Sequence, residues 1–249
     1  MIKFFRRIRQ RLLSENKLSK YLLYAVGEII LVIVGILIAL SINTNVENQK
    51  RQDEIKDFLN IIKNDISKTV VDVKELKTYR DSSKYYSYKS LEIINSNLKL
   101  GIQDISKVFN TKYNPNASKK LVYNKSAFNA LISSGLMTKI KNPNIRDALI
   151  DYYEVVGELE KWETTMYDDL KYINRELFLE VGIIDFYDYF SSPNEILDKH
   201  QIWFNKFVNS HFLHAFHAGN LDDLPIYKGY SELIKKGEQL IELIELEYY

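Results

Sequence analysis

One segment of the sequence, residues 21–42, is too long and too apolar to lie against water. It runs YLLYAVGEIILVIVGILIALSI and holds a single charged side chain, Glu28. A helix of this length extends about 33 Å, close to the roughly 30 Å of a bilayer's hydrocarbon core. The stretch from Ile29 to Leu40 has no polar side chain on any face, unlike the core helix of a soluble domain. We therefore predict a transmembrane helix over residues 21–42.

A cleavable signal peptide is the alternative for this segment. Ala39 and Ser41 form a small-residue pattern like that of a cleavage site, and the apolar run after Glu28 has a suitable length. The positively charged region before it would, however, be nearly thirty residues long, which is unusual for a signal peptide. The mass of the mature protein distinguishes the two interpretations.

The charges of the chain are distributed unevenly about this segment. Residues 1–20 carry seven Lys or Arg side chains and one acid, whereas the remainder carries 27 basic and 32 acidic side chains. Because Lys and Arg stay on the cytoplasmic side, we predict three parts: a basic cytoplasmic head at 1–20, a transmembrane helix at 21–42 and a periplasmic domain at 43–249. Because this part is mildly acidic, we expect no nucleic-acid partner for it. Basic side chains of the head predicted to lie on an anionic membrane surface are Arg6, Arg7, Arg9 and Arg11.

After the apolar segment the sequence has the periodicity of long helices. Apolar residues recur every three or four positions, with a break in the pattern near Val70. No proline or glycine occurs between Gly35 and Gly101, so the membrane helix is expected to continue into the next one. We predict an all-α chain, with a single N-terminal transmembrane helix followed by an antiparallel, up-and-down helical bundle of four or five main helices.

Polar residues, prolines and glycines predict where these helices start and end. Asp81-Ser82-Ser83 predicts a break and a new N-cap in the first long helix. A short helix at 125–134 should bury Phe128, Leu131 and Ile132 and stop at Gly135. The remaining predictions are a helix opened by Asn142-Pro143 and ended by Gly182, one from Ser192-Pro193 to Gly219, a loop from Leu221 to Pro225, and a last helix after it.

Glu28 is a candidate functional residue because a carboxyl inside a membrane is costly. It lies seven residues before Gly35 and so on the same helix face. Gly35 and Ala39 form a small-xxx-small pair, which lets two helices approach closely. We expect this face to pack against another transmembrane helix, from a second copy or a partner protein, with Glu28 protonated or hydrogen-bonded there. Alternatively, Glu28 lies shallower and reaches the head groups.

A second candidate site is the histidine group His211, His214 and His217. Imidazoles three residues apart on a helix can share a zinc or nickel ion, with Asp222 or Asp223 completing the ligand set. A simpler interpretation is that histidines before Gly219 favour the negative end of a helix dipole and need no metal. The chain has no cysteine, which excludes thiol catalysis and disulfides, and it contains no hydrolase, P-loop or dinucleotide-binding motif. No cofactor is predicted.

The start of the chain resembles a Bacteroidota family of single-span membrane proteins catalogued as a domain of unknown function. The resemblance rests on Gly27-Glu28-Ile29, Gly35-Ile36, Ala39, Asn43 and Glu47. Ser41 and Asn45 depart from it, since the family commonly has Gln and Trp there. Weaker similarities occur at Ser133-Ser134-Gly135 and from Asn142 through Arg146 to Tyr152-Tyr153. The resemblance implies an inner-membrane protein with a helical periplasmic part and brings no catalytic residue.

Three functions are consistent with these features. The first is a non-enzymatic, single-pass envelope protein whose helical domain binds a partner or ligand. The second is a membrane-tethered metal-binding protein or hydrolase using the histidine group. The third is a sensor. Because twenty cytoplasmic residues are too few for an effector domain, its signal would pass to a partner protein through the transmembrane helix.

Overall fold

A computed structural model describes residues 18–114, 120–191, 198–221 and 225–248. Within these ranges the chain forms eight α-helices, two short 3-10 helices and no β-strand, which confirms the predicted all-α fold. The 3-10 helices are Ile102–Asp104 and Leu136–Lys139. The α-helices are α1 (Leu18–Ile94), α2 (Ile105–Val108), α3 (Ser126–Ser133), α4 (Pro143–Val181), α5 (Ile183–Ser191), α6 (Asp198–Val208), α7 (His211–Gly219) and α8 (Pro225–Tyr248).

The chain divides into two compact units, Met1–Lys56 and Asp57–Tyr249. The first contains the described beginning of α1, including the apolar segment. The second contains the remainder of α1 and helices α2 to α8. The domain boundaries placed after residues 20 and 42 stay predictions.

The predicted break at Asp81-Ser82-Ser83 is wrong, because α1 continues through it to Ile94. Each of the three side chains has a partner compatible with a helix. The Asp81 carboxylate pairs with Lys77 one turn earlier, at 3.0 Å, and the Ser82 hydroxyl donates to the carbonyl of Thr78 at 2.9 Å. The Ser83 hydroxyl donates to the carbonyl of Tyr113 at 2.7 Å. None of them caps a new helix, so the backbone stays helical.

The buried face of α1 changes character along its length. In the second unit it begins as the predicted apolar stripe, and the supposed gap is filled because Val70 is buried. After Leu76 the same three- and four-residue spacing continues with buried polar side chains: Arg80, Ser83, Ser87 and Ser90. We call these four the polar stripe of α1. Its hydroxyl and guanidinium groups need hydrogen-bonding partners from the elements packed against them.

Helix α8 lies antiparallel to both α1 and α4. Lys63 and Lys74 of α1 contact Glu245 and Glu238 of α8, in reverse order along the two helices. Asn142 and Asp151 at the start of α4 likewise bond to Glu247 and Lys236. Therefore α1 and α4 run in the same direction, and the bundle is not strictly up-and-down as predicted. The described residues 95–114 and 120–142 lie in the sequence between the end of α1 and the start of α4.

Two glycines allow α8 to approach its neighbours closely. A Cβ atom at Gly237 would lie 2.7 Å from Val70 Cγ2 and 3.2 Å from Tyr152 Cε2, which is closer than side chains pack. A Cβ atom at Gly229 would lie 2.5 Å from Leu159 Cδ2. These positions fix the depth at which α8 sits between α1 and α4.

The predicted boundaries of α3 and α4 are confirmed. Gly135 follows α3 with a left-handed φ of 73°, and Gly182 follows α4 with a φ of 94°, conformations that side chains other than glycine's disfavour. Asn142 caps α4 by accepting a hydrogen bond from the Asn144 amide at 3.0 Å, with Pro143 in the first turn. The prediction that Ile132 is buried is wrong, since it is 48% exposed.

The single helix predicted from Ser192-Pro193 to Gly219 is also wrong, because two helices, α6 and α7, occupy its described part. Ser210 starts α7 by accepting a hydrogen bond from the amide of Phe212 at 3.1 Å. Its own hydroxyl donates to Glu180 of α4, which holds the junction against the bundle. The predicted start at Ser192-Pro193 lies outside the described residues, as do residues 222–224 of the predicted loop.

Candidate functional site

The apolar segment of α1 is not covered by other parts of the described chain. From Ile29 to Leu40 its large side chains expose between 44% and 67% of their surface. This helix is long and apolar enough to cross a membrane, and none of its most apolar window is buried. A core helix in a soluble protein would bury most of such a segment. The exposure therefore favours a helix whose surroundings are lipid.

Glu28, Gly35 and Ala39 lie on one face of this segment, as their spacing requires. Gly35 and Ala39 are exposed, and Glu28 is half-buried. No heavy atom outside the local helix lies within 4 Å of the position that a Gly35 Cβ would occupy. Gly35 therefore leaves room for the close approach of a second helix, and the predicted packing role of this face stays a prediction.

Beyond the apolar segment, α1 carries exposed polar side chains that bond to one another one turn apart. Asn43 Nδ2 donates to Glu47 Oε1 at 3.1 Å, and Glu47 Oε2 lies 3.6 Å from Arg51. Gln49 donates to Asp53 at 3.0 Å. Such pairs are typical of a helix surface in water. On the other side of the segment, the predicted membrane-surface residues Arg6, Arg7, Arg9 and Arg11 lie outside the described residues.

The structure does not bring the three candidate histidines together. His211 is exposed, with Nδ1 4.0 Å from Glu180 Oε1, and His214 is half-buried. His217 is 3% exposed and points into the bundle. Across the described ranges, no group of three or more His, Asp or Glu side chains is placed to hold a metal ion. Asp222 and Asp223 lie outside those ranges, and zinc titration by calorimetry tests the metal hypothesis directly.

Instead, both ring nitrogens of His217 are hydrogen-bonded inside the bundle, one of them to the polar stripe of α1. Nε2 lies 2.8 Å from the carbonyl oxygen of Val108, and Nδ1 lies 3.2 Å from Ser87 Oγ. A carbonyl only accepts, so Nε2 carries the proton and Nδ1 accepts from the Ser87 hydroxyl. Burial lowers the pKa of His217 from 6.5 to about 4, because removal from water disfavours the charged ring. The neutral imidazole thus connects α7 to α1 and to the last residue of α2.

Asn220 extends the same network. Its Nδ2 atom donates to Ser87 Oγ at 2.9 Å and to Ser83 Oγ at 3.1 Å. Ser83 in turn donates to the carbonyl of Tyr113. Ser90, the last member of the stripe, is bonded to the carbonyls of Tyr86 and Lys107. The stripe is therefore used to hold α7 and residues 107–113 onto α1.

A second buried polar cluster joins α1, α4 and α8. Glu163 of α4 is 5% exposed; one carboxylate oxygen accepts from the Tyr230 hydroxyl of α8, and the other accepts from the Leu121 amide at 2.7 Å. Burial, and then the adjacent carboxylate, raises the pKa of Tyr230, while the neighbouring Arg80 acts in the opposite direction. Arg80 is 3% exposed and belongs to the polar stripe of α1. These groups hold helices and the 120–125 segment in place rather than facing an open pocket.

A comparison with protein families gives one match, to a Family of unknown function (DUF6090), over residues 28–176. The match covers more than half of the chain. The chain belongs to this family. The DUF6090 match begins at Glu28, includes most of the apolar segment and the whole polar stripe of α1, and ends within α4. No curated protein and no solved structure matches the chain.

Sequence reasoning missed the polar stripe, although the sequence carries a sign of it. Arg80, Ser83, Ser87 and Ser90 continue the spacing of the apolar stripe that ends at Leu76. Polar residues at core positions of a helix are buried when partners exist elsewhere in the chain. Those partners, on α7 and in residues 107–113, are distant in sequence and leave no local pattern.

Proposed function

We propose that this DUF6090 protein is a non-enzymatic, single-pass protein of the bacterial inner membrane whose helical domain binds a partner, as a scaffold or a sensor. The observation that carries the proposal is the apolar stretch Ile29–Leu40, exposed on all sides of α1. Burying that surface in lipid is strongly favourable, whereas exposing it to water is not. The resemblance to Bacteroidota single-span proteins supports the same placement.

The orientation follows from charge. The seven basic side chains of residues 1–20 favour the cytoplasmic side, which places residues 43–249 in the periplasm. Each arginine of the head that lies near an anionic leaflet adds on the order of 1 kcal/mol to membrane attachment. The first partner of the protein is thus the lipid bilayer itself.

The face formed by Glu28, Gly35 and Ala39 supports a second partner within the membrane. Small residues four apart permit close helix contact, and a carboxyl at this depth gains from a hydrogen-bonding partner. The contacting helix belongs to a second copy or to another membrane protein. Through this contact, a change in the periplasmic domain would be passed to a partner membrane protein, which would carry the effector domain that this chain's short head cannot hold.

Binding is favoured over catalysis by the use that the domain makes of its polar groups. Both ring nitrogens of the buried His217 are bonded within the fold, and Glu163 and Tyr230 bond to each other. Groups engaged in this way are not free to exchange protons with a substrate. A structural role, holding the helices in position, is sufficient to explain both polar clusters.

The absence of cysteine makes the topology directly testable. Single-cysteine variants Ser14→Cys in the head and Ser231→Cys on the exposed face of α8 are treated with a membrane-impermeant maleimide in cells with a permeabilised outer membrane. We expect Ser231→Cys to be labelled in intact inner membranes and Ser14→Cys only after lysis. Labelling of Ser14→Cys before lysis, or recovery of the chain in the soluble fraction, would overturn the proposal.

The binding role is tested by crosslinking in cells and capture from detergent-solubilised membranes. We expect a defined protein crosslinked to residues of the helical domain and identified by mass spectrometry. Finding only the uncrosslinked chain, in membranes where the topology experiment succeeds, would contradict a binding role while leaving the membrane placement intact.

A further inference from the structure

The outer surface of the α4–α8 pair forms a continuous groove in the second unit. Two adjoining cavities of about 430 and 260 Å³ lie along it. On α4 the lining positions include 148, 151, 155, 158 and 162, and on α8 they include 228, 232, 236, 239, 243 and 246. Both sets repeat every three or four residues and therefore form one face of each helix. The α4 positions span fourteen residues, about 21 Å of helix.

The floor of the groove is apolar and has an exposed anchor near each end. Ala148 and Leu243 line one cavity, and Val155 and Leu159 line the other. Leu246 is 78% exposed at one end, and Trp162 is 45% exposed at the other. A partly exposed tryptophan in a concave apolar surface is the residue type that most often dominates binding energy at protein interfaces.

The charged residues of the groove are predominantly acidic. Lys236 pairs with both Asp151 and Glu232, at 3.2 and 3.8 Å, and so is already neutralised. Glu158 and Glu242 are exposed and have no ion-pair partner in the described part of the chain. Lys228 is the other base of the lining. The two remaining acids, on opposite walls, favour an occupant with basic side chains flanking an apolar strip.

We propose that this groove binds an amphipathic α-helix of a partner protein, with an apolar face over Trp162 and Leu246 and Lys or Arg beside Glu158 and Glu242. The inference deepens the proposed function by naming the partner's chemistry, and it rests on the binding part of that function alone. Two antiparallel helices present ridges and grooves that a third helix fills. A groove of about 21 Å accommodates roughly four helical turns.

The test uses the full chain in detergent micelles and three fluorescein-labelled synthetic peptides of eighteen residues. The first has a Leu/Ala face flanked by Lys, the second has Glu in place of every Lys, and the third has the first peptide's composition in an order without an apolar face. Fluorescence anisotropy should show saturable binding of the first peptide and at least tenfold weaker binding of the other two, with affinity falling as salt rises. Equal binding of the first and third peptides would indicate a general attraction of basic peptides to the acidic protein surface. That result would overturn the proposal that the groove binds an amphipathic helix.

Variants assign the binding to the groove. Glu158→Lys with Glu242→Lys, and separately Trp162→Ala, should each weaken binding of the basic amphipathic peptide at least tenfold. The matched control is Asp57→Lys with Asp72→Lys, which makes the same charge change at exposed positions of α1 and should leave affinity within about twofold. Circular dichroism and thermal melting confirm that each variant is folded, and a variant that fails this check is replaced by Leu246→Lys. Unchanged affinity in the folded groove variants overturns the proposal.

A second readout comes from the two tryptophans. Trp203 is 2% exposed and Trp162 lies in the groove, so peptide binding should protect Trp162 from acrylamide quenching. If Trp162 becomes protected from quenching as protein concentration rises in the absence of peptide, a second copy of the chain occupies the groove. That result would overturn the proposal that the groove binds a different protein. A cellular crosslink that maps elsewhere on the domain overturns the groove while leaving the proposed function standing.

Discussion

The Nε2 atom of His217 lies 2.8 Å from the carbonyl oxygen of Val108, and this hydrogen bond holds a neutral histidine inside the bundle. Its folded-state pKa of about 4 lies below the ordinary value of 6.5. The unfolded chain therefore binds more protons between these values, and the free energy of unfolding falls as pH falls from 6.5 towards 4. Above pH 6.5 this loss is absent. The full effect is about 3 kcal/mol, from 1.36 kcal/mol per unit of pKa difference.

Urea unfolding of the solubilised chain at pH 7.0, 5.5 and 4.5 measures this dependence. His217→Gln should be less stable at pH 7 and should lose much less stability on acidification than the parent. His211→Gln, at an exposed position of the same helix, is the control and should follow the parent at each pH. A parent and a His217→Gln variant with parallel pH profiles would contradict the assignment.

Gly237→Ala should destabilise the domain by about 1–3 kcal/mol, because its methyl group would overlap Val70 and Tyr152. The helix propensity of alanine offsets only about 1 kcal/mol of this cost. Gly157→Ala is the matched control within α4, where no atom lies within 4 Å of the added Cβ, and it should be neutral or stabilising. Melting temperatures of the two variants compare them directly. Equal effects would mean that α8 does not approach α1 as closely as described.

Glu163→Ala should cost about 3 kcal/mol or more, because it leaves the Tyr230 hydroxyl and the Leu121 amide without an acceptor in a buried site. Glu160→Ala, three residues earlier, removes an exposed carboxylate that accepts from the Tyr123 hydroxyl at 2.7 Å and should cost less than about 1 kcal/mol. Denaturant unfolding distinguishes the two. A small loss for Glu163→Ala would show that the cluster is not needed to join the helices.

Gly35→Leu and Glu28→Gln should reduce crosslinked oligomers or heteromers in membranes if the face they share packs against another helix. Leucine at position 35 prevents close approach, and glutamine removes the charge while retaining a hydrogen-bonding side chain. Leu37→Ala, on the opposite face of the same segment, is the control. Unchanged association in both test variants would rule out this face as a contact.

The helical periodicity of the sequence predicted the fold class and several helix ends because those depend on local physics. Gly135, Gly182 and Asn142-Pro143 mark helix ends through backbone conformation and capping alone. The errors at Asp81-Ser82-Ser83 and Asn209-Ser210 have one cause. Polar residues bond either to the local backbone or to distant groups, and sequence spacing does not distinguish the two.

In the candidate site, too, features set by the local sequence were predictable and features set by distant contacts were not. The apolar segment was predictable because its length and composition are properties of the local sequence, which need no information about the rest of the chain. The histidine spacing suggested a shared ligand, yet His217 turns towards Ser87 and Val108, which lie 130 and 109 residues away. The α4–α8 groove likewise depends on which faces two separate helices present to each other.

The packing of α8 also sets the order in which the domain can fold. Its residue Glu245 contacts Lys63, 182 positions earlier. Its Gly237 lies against both Val70 of α1 and Tyr152 of α4. The apolar stripes of α1 and α4 therefore stay uncovered until α8 has been synthesised, and contacts of such long range form slowly. Until the last long helix is present, these exposed apolar stripes leave the partly synthesised chain prone to aggregation and to binding by chaperones.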